Sequence, residues 1–248
     1  MSKCLIVTGG GRGIGAEVSR KAAKQGYSVC VNFHRDQTSA QKLVRELEKE
    51  GANALAYQAD VSQEEEVVAL FQTVEKHLGT PEALVNNAGI LDLQTRVDGM
   101  NAERIQRIFA VNVTGSFLCA REAVKRMSTK YGGKGGSIVN LSSGAAKYGS
   151  PGEYVDYASS KAAIDTLTIG LAKEVAEEGI RVNAVRPGFI DTEIHQSGGE
   201  PDRMERVRPL VPMKRVGQAE EVADAIMWLL SDKASYTTGT ILDVSGGR

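Results

Sequence analysis

The stretch CLIVTGGGRGIG, residues 4–15, decides the fold. Its first part, Cys4 to Thr8, is a short apolar run with the length of a buried strand. Glycines follow at once, and from Gly13 to Gln25 apolar residues return at the spacing of a helix. A strand, a glycine-rich turn and a helix in this order are typical of the first βα unit of a sheet that binds a dinucleotide.

The same alternation of short apolar runs and longer helical patterns continues to the end of the chain. Strands are predicted near 27–33, 52–58, 83–86, 137–141, 181–185 and 241–244, and helices near 38–50, 63–77, 101–130, 155–178 and 218–230. The strands show little polar alternation, which indicates burial on both faces, as in a parallel sheet. We therefore predict one α/β domain over 1–248, a doubly wound Rossmann fold with about seven parallel strands and helices on both faces. The irregular stretch 189–212, with its prolines and paired glycines, is predicted to form a substrate lid.

Composition argues against several classes of function. The formal net charge is -1 and the two signs are interspersed, so no basic stripe for nucleic acid is expected. No apolar run approaches the roughly 20 residues that span a bilayer, and the N-terminus leads directly into a strand without a signal-peptide pattern. The three cysteines, Cys4, Cys30 and Cys119, are scattered within apolar runs and indicate neither disulfides nor a metal site. These features favour a cytoplasmic protein that binds small molecules.

The glycine turn is the first candidate site. A turn whose backbone approaches a pyrophosphate needs residues without Cβ, and the N-terminus of the following helix attracts the anion. The spacing Gly9-x3-Gly13-x-Gly15 is one residue looser than the common G-x-G-x-x-G pattern. Its position between a strand and a helix predicts dinucleotide binding by the turn, which comprises Gly9, Gly11, Arg12, Gly13, Ile14 and Gly15.

The end of the second strand is predicted to distinguish NADP(H) from NAD(H). NAD enzymes place an acidic residue about 20 positions beyond the glycines to bind the ribose 2′-hydroxyl. Here that region holds Arg35, which together with Arg12 suits a 2′-phosphate. Asp36 is the alternative: if its carboxylate reaches the ribose, it is the acidic residue that binds the 2′-hydroxyl of NAD(H). We prefer to interpret Asp36 as a cap for the helix beginning near Thr38, so NADP(H) is predicted and NAD(H) stays open.

A tyrosine and a lysine four positions apart are the candidate proton-transfer pair. Tyr157 and Lys161 lie at the start of an apolar helical pattern and therefore project from one face, with Ser143 upstream at a strand end. A tyrosine pKa near 10 is too high for efficient proton transfer at neutral pH, and a neighbouring ammonium lowers it. On spacing alone, an ordinary surface pair is the better interpretation.

Together these motifs resemble the short-chain dehydrogenase/reductase family over essentially the whole chain. The closest likeness is to its compact single-domain members, such as 3-oxoacyl carrier-protein reductases and glucose 1-dehydrogenases. The resemblance rests on Thr8-Gly9-x3-Gly13-Ile14-Gly15, Asp60-Val61, Asn86-Asn87-Ala88-Gly89, Asn112, Ser143, Tyr157-x3-Lys161 and Pro187-Gly188.

The resemblance implies a role for each matching residue. Tyr157 would be the general acid in reduction and the base in oxidation, while Lys161 would lower its pKa and hold the nicotinamide ribose. Ser143, rather than its neighbour Ser142, would donate a hydrogen bond to the substrate oxygen. Asn112 would position a water in the proton relay. Contacts with the cofactor are implied for Asp60 and Val61 at the adenine, for Asn87, Ala88 and Gly89 along the cleft, and for Pro187, Gly188 and Thr192 at the nicotinamide.

The substrate is less well defined by the sequence. We rank a small polar or aliphatic carbonyl or alcohol first and a 3-oxoacyl thioester second. Basic residues suited to an acyl carrier protein are present at Lys125, Arg126, Lys130 and Lys134, but Glu177 and Glu178 bring negative charge to the end of the tyrosine helix. A non-catalytic NADP(H) sensor is a third hypothesis, which the complete Ser143–Tyr157–Lys161 set disfavours. The resemblance also implies a homotetramer built on helices 101–130 and 155–178. Whether Tyr154 or His195 contacts substrate is left open.

Overall fold

A computed structural model describes residues 3–192 and 203–248, and within them a parallel seven-stranded sheet forms the centre of the molecule. The strand order is β3-β2-β1-β4-β5-β6-β9, and every neighbouring pair is parallel. Its strands are β1 (Cys4–Val7), β2 (Ser28–Phe33), β3 (Ala54–Gln58), β4 (Pro81–Asn86), β5 (Gly136–Leu141), β6 (Ile180–Pro187) and β9 (Ile241–Val244). The predicted single-domain, doubly wound α/β fold is confirmed.

Helices cover both faces of this sheet. The main ones are α1 (Gly13–Lys24), α2 (Gln37–Lys49), α3 (Glu64–Leu78), α4 (Ala102–Phe109), α5 (Gly115–Met127), the four-residue α6 (Ala145–Tyr148), α7 (Val155–Val175) and a C-terminal helix (Ala219–Leu230). None of the helices in the described ranges is both long and apolar enough to cross a membrane.

The apolar strands serve two cores because successive side chains point to opposite faces. In β1, Leu5 and Val7 pack into a core shared with α1, α2 and the C-terminal helix. Their neighbours Cys4 and Ile6 pack into a second core with α3, α5 and α7. All three cysteines are buried and unpaired.

The predicted helix 101–130 is wrong as one continuous element. A π-helical turn over Ala110–Thr114 separates α4 from α5, and a short 3-10 turn (Thr129–Tyr131) follows α5. The turn makes contacts with distant parts of the chain: the buried Asn112 side chain bonds both main-chain groups of Ile90, and Gly115 packs closely on Val61. The predicted helix 155–178 likewise ends earlier, at Val175, and continues as a 3-10 turn, Ala176–Glu178.

Short elements follow the sixth strand. Two-residue strands β7 (Ile190–Asp191) and β8 (Gly217–Gln218) pair in parallel, and a one-turn helix spans Arg203–Val207. The predicted lid, 189–212, therefore contains some regular structure, while its residues 193–202, including His195, lie outside the described residues.

The sheet reverses its strand order between β1 and β4. From β1 the chain adds β2 and β3 on one side, whereas β4 pairs with the other side of β1 and leads on to β5, β6 and β9. Ligands of open α/β sheets bind outside the carboxyl ends of the strands at such a switch point. The glycine turn and the loop after β4 meet at this place.

Candidate active site

The glycine turn after β1 has a conformation and a packing that demand glycine. Gly9 and Gly13 adopt φ angles of +59° and +51°, in the left-handed region. A Cβ on Gly15 would lie only 2.6 Å from the side-chain nitrogen of Asn87. The first turn of α1 thus packs directly on the loop that follows β4.

Hydrogen bonds fasten this loop to the turn. The hydroxyl of Thr8 accepts from the main-chain N–H groups of Asn87 and Ala88, each at 3.0 Å. The Asn87 amide group in turn donates to the carbonyls of Thr8 and Gly9, each at 2.9 Å. Both amide hydrogens of Asn87 are used in this way, so its side chain stiffens the turn and only its outer surface faces the cleft.

A residue that the sequence analysis missed holds the same turn from the other side. Asn32, buried near the end of β2, accepts from the Gly9 N–H at 3.3 Å and donates to the carbonyls of Tyr57 and Ala59. The sequence signal was a polar residue inside an otherwise apolar strand.

The N-terminus of α1 fits an anion. No side chain caps this helix, and its first turn contains no acidic residue. The N–H groups of a first helical turn lack intrahelical partners and carry the positive end of the helix dipole. With the close glycine packing, these groups suit the pyrophosphate of a dinucleotide.

Two exposed arginines, Arg12 and Arg35, and a capping carboxylate lie in the segments that follow β1 and β2. Asp36 accepts from the Ser39 N–H at 3.0 Å and is the N-cap of α2, as predicted. This backbone hydrogen bond lowers the pKa of Asp36, and the charge of Arg12 lowers it further. Within 3–192 and 203–248, neither Arg12 nor Arg35 forms an ion pair with a carboxylate.

The pair Asp60 and Val61 lies beyond β3 on the same side of the molecule. The Asp60 carboxylate accepts from the N–H and the hydroxyl of Ser62, at 2.9 and 2.8 Å. His34 lies 3.6 Å from the other carboxylate oxygen. Val61 is buried, and a Cβ on Gly115 would lie 2.7 Å from it.

One cavity, of about 360 Å³, opens beside the turn at the carboxyl ends of the strands. It brings together these residues predicted from the sequence: Ile14, Asn87, Gly89, Ser143, Tyr157, Lys161, Pro187, Gly188 and Thr192. Outside its lining lie the rest of the predicted set: Gly9, Gly11, Arg12, Gly13, Gly15, Arg35, Asp60, Val61, Ala88 and Asn112.

Tyr157 and Ser143 form the polar centre of the cavity. Both side chains line it, and the Ser143 oxygen accepts from the Ala145 N–H at 3.1 Å. The neighbouring Ser142 instead points away from this pair and donates to the main-chain oxygen of Lys161 at 3.2 Å. Removal from water raises the pKa of Tyr157, while the neighbouring Ser143 hydroxyl and the charge of Arg203 oppose this rise.

Lys161 is 4% exposed and donates to the carbonyl of Leu141 at 2.7 Å. Its ammonium lies 5.7 Å from the centre of the Tyr157 ring. Burial lowers the pKa of Lys161 to about 8, against the opposing charge of Asp165 one helical turn further. Burial thus favours the neutral form of both groups, because it raises the pKa of Tyr157 and lowers that of Lys161.

Asn112 sits in the π-helical turn with its side chain fully enclosed. Its carboxamide oxygen accepts from the Ile90 N–H at 2.8 Å, and its nitrogen donates to the Ile90 carbonyl at 2.9 Å and to Ser160 at 3.0 Å. A Cβ on Gly89 would lie 3.5 Å from this oxygen and 3.4 Å from the Lys161 nitrogen. The absence of a side chain at Gly89 thus keeps a small space between Asn112 and Lys161.

The far wall of the cavity was not predicted in full. Its aromatic rings belong to Tyr148, Tyr154 and Phe189, and its charged groups to Glu153, Arg203, Arg206 and Arg248. Tyr154, whose contact with substrate was left open by the sequence, is buried and lines this wall. Arg248 was not predicted from the sequence. It lies in the turn after β9, and the fold brings it to the cavity.

Comparison with known proteins agrees with this geometry. A family model described as Enoyl-(Acyl carrier protein) reductase matches residues 9–248. The chain is 58% identical to the "Uncharacterized oxidoreductase YgfF" of Escherichia coli (strain K12), with 98% of each chain covered. It is 38% identical to "Glucose 1-dehydrogenase 2" of Bacillus subtilis (strain 168), over 99% of this chain and 94% of that one. It is 35% identical to "3-oxoacyl-[acyl-carrier-protein] reductase FabG" of Staphylococcus aureus (strain N315), over 100% and 98%. The chain belongs to the short-chain dehydrogenase/reductase family of oxidoreductases.

Proposed function

We propose that this protein is an NADP(H)-dependent oxidoreductase that transfers a hydride between nicotinamide and a small carbonyl or alcohol substrate, with Tyr157 as the general acid or base. The observation that carries the proposal is that Tyr157, Ser143 and the buried Lys161 line one cavity beside the glycine turn. A proton donor next to an anion-binding helix N-terminus is the arrangement that reduction by a dinucleotide requires.

In the reducing direction Tyr157 donates the proton. Its raised pKa keeps the phenol protonated at neutral pH, so the proton is in place when negative charge develops on the substrate oxygen. Ser143 donates a second hydrogen bond to that oxygen. The hydride for the carbonyl carbon is supplied by the nicotinamide when it is bound. In oxidation, Tyr157 accepts the proton of the alcohol.

Lys161 and Asn112 support this proton transfer. A protonated Lys161 beside the ring of Tyr157 favours the phenolate that is left after transfer. The space at Gly89, between Lys161 and the oxygen of Asn112, is the proposed place for a water that returns the proton. Because the amide hydrogens of Asn112 are both in use, its oxygen is the atom that would hold this water.

The preference for NADP(H) over NAD(H) is proposed from the adenosine end. Asp36 caps α2, and the side chains of Arg12 and Arg35 are exposed and without carboxylate partners in the described ranges. Two such guanidinium groups suit a 2′-phosphate. The remaining proposed cofactor contacts are Gly9, Gly11, Gly13, Ile14, Gly15, Asp60, Val61, Asn87, Ala88, Gly89, Tyr157, Lys161, Pro187, Gly188 and Thr192.

A small substrate remains our first choice over a carrier-bound 3-oxoacyl thioester. Of the four basic residues that would attract an acidic carrier, Lys125 and Arg126 are both paired with Glu122, at 2.8 Å each. This pairing weakens the attraction for a partner, although relatives include the reductase FabG. A sensor without catalysis is disfavoured by the intact tyrosine–serine pair.

A homotetramer is proposed from exposed apolar side chains on the helices that the resemblance implies. Ile105 on α4, Phe117 on α5 and Ile169 on α7 are 37%, 50% and 40% exposed. Burying such side chains between subunits is favourable. Light scattering tests this: four times the mass of 26.5 kDa is expected, and a monomeric mass contradicts it.

The experiment that tests the function is the oxidation of NADPH and NADH, followed by absorbance over a panel of carbonyl compounds. Tyr157→Phe is compared with Tyr131→Phe, which changes an exposed phenol away from the cavity. We expect a fall of about 100-fold or more for Tyr157→Phe and none for the control. Substitution of Arg12 and Arg35 by serine should raise the KM for NADPH and leave that for NADH unchanged.

Each hypothesis has its own contrary result. Equal turnover by wild type and Tyr157→Phe contradicts the assigned proton donor. Preference for NADH contradicts the assignment of Arg12 and Arg35. Tight NADPH binding without turnover of any compound favours the sensor.

A further inference from the structure

The far wall of the cavity contains an arginine, Arg248, that packs on two aromatic rings. The guanidinium carbon of Arg248 lies 4.9 Å from the centre of the Tyr148 ring and 4.7 Å from that of Phe189. Cation–π contacts of this kind fix the position of a guanidinium group while leaving its N–H groups available at its edge. Arg248 is therefore a positioned cation and not a free surface side chain.

The backbone places this cation near the reaction centre. The turn that ends in Arg248 is closed by a hydrogen bond from the Ser245 hydroxyl to the Arg248 carbonyl at 2.7 Å. Ser245 packs on Gly188, where a Cβ would lie 2.8 Å from it. On the other side, the Tyr148 hydroxyl lies 3.2 Å from the position of a Cβ on Gly144, the residue that follows Ser143.

Two polar atoms of this wall lack a partner. The Nη1 atom of Arg248 and the hydroxyl of Tyr148 are buried, yet neither is hydrogen-bonded to the part of the chain that the structure describes. Glu153, the acidic residue of the cavity, is bound by Arg203 at 2.9 Å and Arg206 at 3.0 Å. Its charge is thus matched elsewhere, and no described carboxylate pairs with Arg248.

A buried donor without an acceptor is unfavourable, and Nη1 belongs to a half-buried guanidinium whose charge no described carboxylate matches. An anionic oxygen group of a ligand removes both costs at once, because it accepts from Arg248 and from the Tyr148 hydroxyl. Neutral groups of the same size would satisfy the hydrogen bonds but leave the positive charge uncompensated.

We propose that the substrate is an oxo acid or the corresponding hydroxy acid, and that Arg248 and Tyr148 bind its anionic group while Ser143 and Tyr157 bind the reacting oxygen. This inference rests on the proposed function and adds the substrate class. The anionic group is a carboxylate or a phosphate, and the two are separated by experiment.

The test compares anionic substrates with neutral partners of the same length. The pairs are 3-oxobutanoate, 4-oxopentanoate and 5-oxohexanoate with their methyl esters, and hydroxyacetone phosphate with hydroxyacetone. For each pair the ratio of kcat/KM, anion over neutral, is measured with NADPH. Wild type is compared with Arg248→Met, Tyr148→Phe and a control, Arg45→Met, which removes an exposed arginine of α2.

We expect a wild-type ratio of about 10 or more in at least one pair, because a site built around a charged group rejects the analogue without it. Arg248→Met should bring that ratio close to one, Tyr148→Phe should lower it less, and Arg45→Met should leave it unchanged. The pair with the largest ratio identifies carboxylate or phosphate and its distance from the carbonyl. A ratio below one, or one that Arg248→Met does not change, overturns the proposal.

A binding measurement separates this result from failure of the proposed function. Pentanoate and inorganic phosphate are titrated into wild type and Arg248→Met, and binding is followed by protein-observed NMR. Saturable shifts in wild type for one of the two anions, lost in Arg248→Met, support the anion site even if none of the test compounds is reduced. No shifts with either anion, in an enzyme that reduces the neutral compounds through Tyr157, overturn the anion site and leave the reaction class intact.

Discussion

Lys161→Met is expected to abolish activity while removing a destabilising charge from the interior. The ammonium of Lys161 is almost fully buried, and burial lowers its pKa from 10.5 to about 8. A lowered pKa of a base means that the folded protein binds the proton more weakly than the unfolded chain. Below pH 8 both states are protonated, and the folded state carries the full cost of the buried charge.

The size of this cost follows from the shift. The fall in the pKa of Lys161 from 10.5 to about 8 corresponds to about 3 kcal/mol, at 1.36 kcal/mol for each pKa unit. The cost is present below pH 8, decreases as the pH rises from 8 to 10.5, and is absent above 10.5. Between pH 7 and pH 9 the free energy of unfolding of the wild type should therefore rise by about 1 kcal/mol from this group. Methionine at this position does not titrate and lacks this contribution.

Urea denaturation at pH 7 and pH 9 measures the effect, at one protein concentration because assembly changes apparent stability. The comparison uses the change between the two pH values within each protein. This choice cancels the fixed cost of about 1–3 kcal/mol that Lys161→Met incurs by leaving the Leu141 carbonyl without its donor. If wild type and variant show the same pH dependence, Lys161 is not a buried cation with a lowered pKa, and the reasoning fails.

Three further substitutions test the support of the site. Gly15→Ala should cost about 1–3 kcal/mol and weaken NADPH binding, because its Cβ would lie 2.6 Å from the Asn87 nitrogen; calorimetric unfolding and fluorescence titration check both effects. Asp36→Ala removes the cap on the Ser39 N–H and should cost about 1 kcal/mol without raising the KM for NADPH, and a switch to NADH would contradict its assignment as a cap. Arg104→Met breaks the ion pair with Asp156, whose side chain is 2% exposed. About 3 kcal/mol of stability should therefore be lost in urea titrations. A loss near zero would show that the pair is solvated.

The sequence predicted the features that depend on contiguous residues. The seven strands, the glycine turn and the four-residue spacing of Tyr157 and Lys161 each occupy a short stretch, where local periodicity and backbone constraints act directly. Local geometry also indicated that only one of Ser142 and Ser143 reaches the site, since neighbouring strand residues face opposite sides, and the family resemblance implied Ser143. In the structure Ser143 lines the cavity beside Tyr157, and Ser142 donates to the main-chain oxygen of Lys161.

Features that depend on solvation and on distant neighbours were not predictable in this way. The π-helical turn at Asn112 arises because its side chain bonds the loop after β4, 22 residues earlier in the chain. The helical pattern on either side continues without a break in the sequence. Likewise, spacing indicates that Lys161 neighbours Tyr157, but the direction of the pKa of Tyr157 depends on how much water the whole cavity admits.

The cavity has one half whose residues were predicted from the sequence and an opposite half whose residues were not. The half that contains Tyr157, Lys161 and Ser143 is formed by residues whose spacing is fixed by one helix and one strand end, and it is the proposed place of proton and hydride transfer. The opposite half joins α6, the segment after β6 and the last turn of the sequence, represented by Tyr148, Phe189 and Arg248. No residue of this half takes part in the proposed proton transfer. Substitutions there should therefore act mainly through KM and the choice of substrate, whereas Tyr157→Phe should lower kcat for every substrate alike.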